Sequence, residues 1–426
     1  MKKVLIITYY WPPSGGAGVQ RWLKFTKYLP EFEWVPIILT VAENQASYAQ
    51  LDPSLLKEIS PELHIHKTKT FEPYNFYRKL SNKKEIPYGG FSNQKKITLF
   101  EKFSRLIRGN LFIPDPRRGW NSYALKKALE VIKKEQIDVV ITSGPPHSTH
   151  LIGNKIKSLT GIRWIVDFRD PWTDIFYYKE LYHTKLAEWI DKRLEKKILT
   201  RADQIITVSE EIGKLLLKKI PNSNARIAVI PNGYDEADFE KTVAVSNELF
   251  TITYCGTIAS GYRINHFVQA VFQLPESVKN KMKIRFIGNV PEDILQLFER
   301  KNLRSRIEVL GYLPHEQAVS QMKGASLLLM AIPDSPDNKG IVTGKFFEYL
   351  AANRPILAIG PIGGDVDVLI KKCTAGKLFP YEAVEEMQHF IHECFDKDQH
   401  KRNFGETTGT EKYTRRNLTK ELAGYL

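Results

Sequence analysis

Two successive runs of alternating strand and helix signals constrain this 426-residue chain more than any other feature. In the first, VLIIT (4–8), WVPIILT (34–40), HIHKT (64–68), DVVITS (138–143), RWIVDF (163–168), QIITVS (204–209) and RIAVI (226–230) read as strands. Helices are expected near 18–29, 121–135, 148–159 and 183–200. The second run has TITYCG (251–256), KIRFIG (283–288), IEVLG (307–311), SLLLMAI (326–332) and PILAI (355–359), separated by helical segments at 263–273, 292–301, 314–323, 364–372 and 381–396. Short apolar runs joined by helices imply parallel strands covered on both faces, hence two α/β doubly wound domains. A polar stretch at 240–249 is the expected linker. The domains are expected at 1–238 and 239–405, with 406–426 as a terminal helix packing back toward the first.

At 426 residues, 42% apolar and 26% charged, the chain is long enough for two full cores. The longest apolar runs are strand-sized, well short of the roughly 18 residues that suggest a membrane span. The apolar VLII run is too short for a signal peptide. Three scattered cysteines, Cys255, Cys373 and Cys394, form neither a disulfide framework nor a metal spacing, and the expected location is cytoplasmic.

The formal charge is +14, and residues 67–118 hold thirteen Lys/Arg against four Asp/Glu with nine Phe/Tyr between them. Within this basic insert Leu99, Phe100, Phe103, Leu106 and Ile107 recur at helical spacing. Lys96, Lys102, Arg105 and Arg108 fall mostly on the other side. Two readings stand: an amphipathic helix at 95–112 lying on an anionic membrane surface, or a basic helix docked on its own domain. No nucleic-acid-binding motif accompanies the stretch, and nucleic acid is not an expected partner.

Chemistry concentrates at 340–359, GIVTGKFFEYLAANRPILAI. Lys345 and Glu348 are three apart and share a helix face, just after Gly340 and Gly344. A helix N-terminus with a lysine in its first turn is suited to an anion, and a nearby carboxylate to a diol. A surface Lys/Glu pair on an ordinary helix is the plainer alternative. GIVTGK fails the phosphate-loop pattern because Lys339 stands where its first glycine belongs.

Four segments then line up: SGGAGVQR (14–21), ADQIITVS running into AVIPNGYD (202–209, 228–235), GTIASGYR (256–263) and GKFFEYLAANRPIL (344–357). With them the chain resembles the family-4 glycosyltransferases over nearly its whole length except the basic insert. That resemblance implies a GT-B fold, two facing Rossmann-like domains with an interdomain cleft. It implies transfer of a sugar from a nucleotide-diphospho-sugar to a hydroxyl acceptor, retaining and metal-independent, with no cofactor. Polysaccharide or glycolipid assembly is the expected setting, with a lipid-linked glycan as one acceptor and peripheral attachment to the inner membrane face. Glu348 matches the second carboxylate of the family's E-x7-E pattern, which holds the ribose hydroxyls. Arg263 and Lys345 match the basic pair on the diphosphate. Gly15 and Gly16 match the glycine loop whose backbone approaches the phosphates or acceptor. Position 340, where the first carboxylate belongs, is Gly340, and Thr257 stands where relatives often carry Arg.

In the first half, SGPPHSTH (143–150) and DFRDPWTD (167–174) sit at strand ends. His147 is expected to contact donor sugar or acceptor, as a histidine from this region does in relatives, or else to cap the following helix. Asp167, Arg169 and Asp170 include either a carboxylate that positions or deprotonates the acceptor hydroxyl, with Asp170 the choice, or a structural Asp–Arg pair. His147 and His150 lack a third ligand, so no metal site is expected. Two other functions fit the same features: a sugar-nucleotide epimerase, or a catalytically silent scaffold in a glycan assembly complex, suggested by Gly340.

Overall fold

The computed structural model describes residues 1–48, 51–71, 99–175, 177–221, 227–259, 262–400 and 407–426. Two compact units result, Met1–Pro231 with Arg415–Leu426, and Asn232–Thr414. In the first, β1 (Lys2–Ile7), β2 (Trp34–Val41), β3 (His64–Thr68), β4 (Val139–Gly144), β5 (Arg163–Phe168), β6 (Gln204–Thr207) and β7 (Ile227–Val229) form one sheet in the order β3-β2-β1-β4-β5-β6-β7. All its pairings are parallel. Apolar side chains alternate to its two faces. Leu5, Ile7, Val140 and Val166 join one core, and Val4, Ile6, Ile141 and Ile165 join the other.

The second unit repeats this order. Strands β8 (Phe250–Cys255), β9 (Met282–Ile287), β10 (Ile307–Gly311), β11 (Leu327–Ala331), β12 (Ile356–Ile359) and β13 (Gly376–Phe379) run β10-β9-β8-β11-β12-β13, again all parallel. The order reverses between β1 and β4 in one sheet and between β8 and β11 in the other. Such switch points open crevices at the carboxyl ends of the strands. Each unit is thus a Rossmann-like layer of helices on a parallel sheet.

Three features differ from the sequence reading. Strand β13 was not expected, because GKLF is short and carries a lysine at the sheet edge. It pairs closely because Gly376, at φ 144°, has no Cβ, which would lie 2.1 Å from the Ile356 carbonyl oxygen. The units divide at 231/232 rather than 238/239, and 240–249 is no free linker. Val245 N–H donates to Ser320 O, Ser320 Oγ to Val243 O, and Asn247 Nδ2 to Gly324 O, binding this polar stretch along the second unit.

The terminal helix Arg415–Ala423 belongs to the first unit, where Leu418 and Leu422 are buried with Trp22, Phe25 and Leu29. Burying each leucine contributes about 1.5–3 kcal/mol. From the basic insert, helix Leu99–Leu111 is described, while 72–98 fall outside the described residues. It docks through Arg105, which is buried and paired with Glu180 at 3.3 Å, and through Gly109, whose missing Cβ would lie 2.4 Å from Leu181 O. Arg105 is therefore not on a solvated basic face. Phe103, Leu106 and Leu111, at 61%, 43% and 73% exposure, point away from the domain. The helix is thus docked on its own domain, and it docks through a basic side chain while these three apolar ones stay exposed. Among the described residues no helix is long and apolar enough to cross a membrane.

Candidate functional site

In the second unit, the switch point places the loop after β8 beside helix Gly344–Ala352. The helix begins after Thr343, whose side chain makes no capping hydrogen bond. Its position is fixed by Tyr349, which is fully buried. The Tyr349 hydroxyl accepts from Cys255 N–H at 2.8 Å and donates to Leu329 O at 3.2 Å, tying the helix to β8 and β11. Lys345 is one turn earlier, so it emerges over the same strand ends. Its ammonium donates to the Tyr254 hydroxyl at 2.8 Å and lies 4.3 Å from that ring's centroid. The Tyr254 hydroxyl donates in turn to Thr257 O at 3.1 Å.

Lys345 Nζ rests over Gly256, where a Cβ would sit 3.2 Å away. Gly256, at φ 111°, also packs against Gly288, whose added Cβ would meet Gly256 O at 2.6 Å. The strand ends are thus bare backbone where Lys345 reaches. Among the described residues no carboxylate lies within ion-pair distance of Lys345. Burial lowers its pKa, partly opposed by Tyr262, Cys255 and Glu348. A half-buried ammonium without a counter-ion is an anion-seeking group, since an anionic ligand offsets the desolvation cost.

Glu348 shares the helix face, and its Oε1 lies 3.0 Å from His315 Nε2. Arg263 stands apart from Lys345 in its partners. Its guanidinium pairs with Asp334 and Glu382 and lies 5.4 Å from the Tyr381 ring centroid, and these carboxylates raise its pKa. The two basic groups are therefore not equivalent, because Arg263 already has anionic partners and Lys345 has none among the described residues. Gly340 is buried in a loop held by Asn338, which donates from Nδ2 to Pro333 O and Tyr381 Oη, each at 3.0 Å.

In the first unit, Gly15 and Gly16 follow β1. Gly16 takes φ 102° as it leads into helix Ala17–Tyr28, a conformation that favours glycine. Arg169 lies against this helix, where a Cβ on Gly18 would sit 1.6 Å from Nη1, and its Nη2 donates to Pro145 O at 2.6 Å. Asp167 is no acceptor-side carboxylate. It is fully buried and accepts from Arg21 Nη2 at 3.1 Å, Trp22 Nε1 at 2.8 Å and Ser143 Oγ at 2.8 Å. Its ion-pair partner is Arg21, not Arg169. Asp170 makes no hydrogen bond or ion pair among the described residues, and burial raises its pKa.

His147 does not cap helix Ser148–Thr160. Asp115 does, its two carboxylate oxygens accepting from Ser148 N–H and Ser148 Oγ at 2.8 Å each. The His147 ring lies flat on Trp172, with centroids 4.9 Å apart and planes 7° from parallel. Among the described residues its buried Nδ1 has no hydrogen-bond partner, nor has His150 Nε2, and both lie beside Gly144. Burial pushes the His147 pKa well below the ordinary value and that of His150 to about 3, so both rings are neutral near pH 7. Among the described residues no third metal-binding side chain joins them.

Sequence reasoning missed His315, Tyr254, Tyr349 and Trp172. Tyr349 lies inside the K-x-x-E-Y-L motif and Trp172 inside DFRDPWTD, so position alone drew attention to them. Their contacts, to residues distant in sequence, had no local signal.

The family described as Glycosyltransferase Family 4 matches residues 91–238. An alpha-D-kanosaminyltransferase of Streptomyces kanamyceticus is 22% identical over 254 residues, 56% of this chain and 64% of that protein. An uncharacterized glycosyltransferase of Methanocaldococcus jannaschii is 20% identical over 236 residues, 53% of this chain and 57% of its own length. The matched segments thus span less than two thirds of these relatives. Among solved structures, a sucrose-phosphate synthase from Thermosynechococcus elongatus superposes with a TM-score of 0.65 at 14% identity, covering 100% of this chain and 98% of that one.

Proposed function

We propose that this chain, a member of the family-4 glycosyltransferases with the GT-B fold, transfers a sugar from a nucleotide-diphospho-sugar to a hydroxyl acceptor. The observation that carries this reading is Lys345, a half-buried ammonium resting over a bare glycine beside a helix N-terminus, with no carboxylate partner among the described residues. In the reaction, the bond between the sugar anomeric carbon and the diphosphate breaks and negative charge grows on the leaving phosphate. Lys345 and the amides of the first helical turn stabilise that charge. A preorganised group of this kind contributes on the order of 3–4 kcal/mol. Glu348, oriented by His315, accepts hydrogen bonds from the ribose hydroxyls.

In the first unit, neutral His147 suits hydrogen bonding to sugar or acceptor. Asp170 makes no ion pair among the described residues, and burial raises its pKa against the pull of Arg169, which suits a base that takes up the acceptor proton. The diphosphate is neutralised by protein cations without a metal, and the anomeric configuration is retained. These two statements rest on family resemblance. A thermal-shift screen against UDP, GDP, ADP and their sugars tests the donor site, because a specific ligand stabilises by mass action. Turnover of nucleotide-sugar without acceptor favours an epimerase, and binding without turnover favours a silent scaffold.

The acceptor is proposed to be a lipid-linked glycan in polysaccharide or glycolipid assembly. Helix Leu99–Leu111 supports this, since it turns Phe103, Leu106 and Leu111 to solvent within an insert of thirteen basic residues against four acidic. Apolar side chains outward and basic charge around them suit an anionic bilayer surface.

A further inference from the structure

We propose that Asp191 is a positioning residue, holding the indole of Trp172 flat against His147 and so fixing the imidazole that faces the reacting sugar or acceptor. The inference rests on the proposed function only for the role of His147. The positioning itself rests on geometry. Asp191, on helix Lys185–Arg201, is 2% exposed. Its Oδ1 accepts from Trp172 Nε1 at 2.8 Å and its Oδ2 from the Tyr178 hydroxyl at 3.0 Å. Trp172 is equally buried, and its ring stacks on His147 at 4.9 Å and 7°. Asp170 precedes Trp172 by two residues, so the same anchor restrains it.

Asp191 differs from the buried carboxylate one turn on. Glu195 has a cation, Lys219 at 2.7 Å, besides the Thr173 hydroxyl at 2.6 Å. Among the described residues Asp191 has only the neutral donors of Trp172 and Tyr178. A buried carboxylate without a counter-ion is costly, and simple packing of the segment would be served at lower cost by an apolar side chain. What a carboxylate adds is two acceptor oxygens in one plane, which fix the indole N–H and the phenol O–H at once. Burial pushes the Asp191 pKa to about 7, with Glu195 and Asp115 raising it and the bonds from Trp172 and Tyr178 lowering it. Around His147 the charged and titratable neighbours are His150, Arg169 and Lys219, all of which oppose a proton on its ring. The imidazole therefore remains neutral while Asp191 titrates.

The test uses the full chain with ¹⁵N-labelled tryptophan and histidine. The seven indole signals are assigned by Trp172→Phe, and the His147 ring signals by His147→Gln. In Asp191→Asn, the Trp172 indole N–H and the His147 ring nitrogens should both move. In Thr173→Val, which cuts the neighbouring tie of the same segment to Glu195, both should remain in place. With a donor that the screen identifies, Asp191→Asn should lower kcat about tenfold with KM for the donor within twofold. Unmoved His147 signals in Asp191→Asn, or equal movement in Thr173→Val, overturn the proposal. If Asp191→Asn does not fold, titration of the wild type decides. Indole and His147 signals moving together with a midpoint near pH 7 support it, and any other behaviour overturns it. Absence of transfer by the wild type counts against the proposed function and leaves the spectroscopic result standing.

Discussion

Arg21 and Asp167, separated by 146 positions, form a fully buried ion pair with Nη2 and Oδ1 3.1 Å apart. Arg21 Nη1 donates also to Ile230 O at 2.8 Å and Pro231 O at 3.0 Å, while Asp167 takes the indole of Trp22 and the hydroxyl of Ser143. The pair thereby joins the glycine-loop helix after β1 to the ends of β4, β5 and β7. It sets the geometry from which Arg169, Asp170 and His147 project.

Removing one member should be severe. Asp167→Ala leaves the Arg21 guanidinium buried without its counter-charge, so unfolding in urea should show a loss of about 3–5 kcal/mol. Asp170→Ala should cost under about 1 kcal/mol, because it breaks no bond among the described residues, yet abolish detectable transfer. Comparable stability losses in the two variants would contradict this division of roles.

Lys345→Ala and Glu348→Ala should each abolish detectable transfer and leave the circular dichroism spectrum unchanged. For Lys345→Ala a fall of at least about 100-fold in kcat/KM corresponds to about 3 kcal/mol of lost transition-state stabilisation. Near-normal turnover by either purified variant would remove the site assignment.

Donor nucleotide should bind equally well with and without a chelator, since protein cations do the neutralising. Calorimetric titration in EDTA, then with magnesium or manganese restored, is decisive. Affinity that collapses and returns with metal would show that a cation is required.

Liposomes containing anionic lipid should sediment the protein at low salt, and less as salt rises, because exposed charges are screened beyond about 10 Å at 0.1 M. Phe103→Ser with Leu106→Ser should weaken this while preserving stability, as both side chains are exposed. Arg105 is unsuited to the experiment, being buried against Glu180. Indifference of the wild type to anionic vesicles would point to a soluble acceptor.

Stability should carry the signature of Asp191. Its carboxyl is raised from 3.8 to about 7 on folding, so between those values the native state holds a proton that the unfolded chain has lost. Its contribution is therefore least unfavourable below about pH 4 and grows more unfavourable up to about pH 7, reaching about 4 kcal/mol. Relative to wild type, Asp191→Asn should gain stability as pH rises through this window and level off above it. A difference independent of pH between 4 and 8 would show that Asp191 titrates normally.

The sequence by itself determined the two α/β units, most of their strands and the K-x-x-E-Y-L helix, because those signals are local. Apolar runs of strand length, helical spacing and glycine turns are set by neighbours a few residues away. The terminal strand β13 escaped because its pairing depends on the absence of a side chain at Gly376, not on an apolar run. The tertiary structure alone decided which charges are partnered. Asp167 is consumed by Arg21, Arg263 by Asp334 and Glu382, and Glu348 is bonded to His315, while Lys345 has no carboxylate among the described residues. It also decided which described side chains of helix Leu99–Leu111 are buried. An amphipathic pattern defines two sides but not which is turned inward, and a partner for Arg105 on a distant segment drew that basic side chain in while Phe103, Leu106 and Leu111 stay exposed. Burial and pairing depend on groups brought together across tens to hundreds of residues, and no local pattern encodes them.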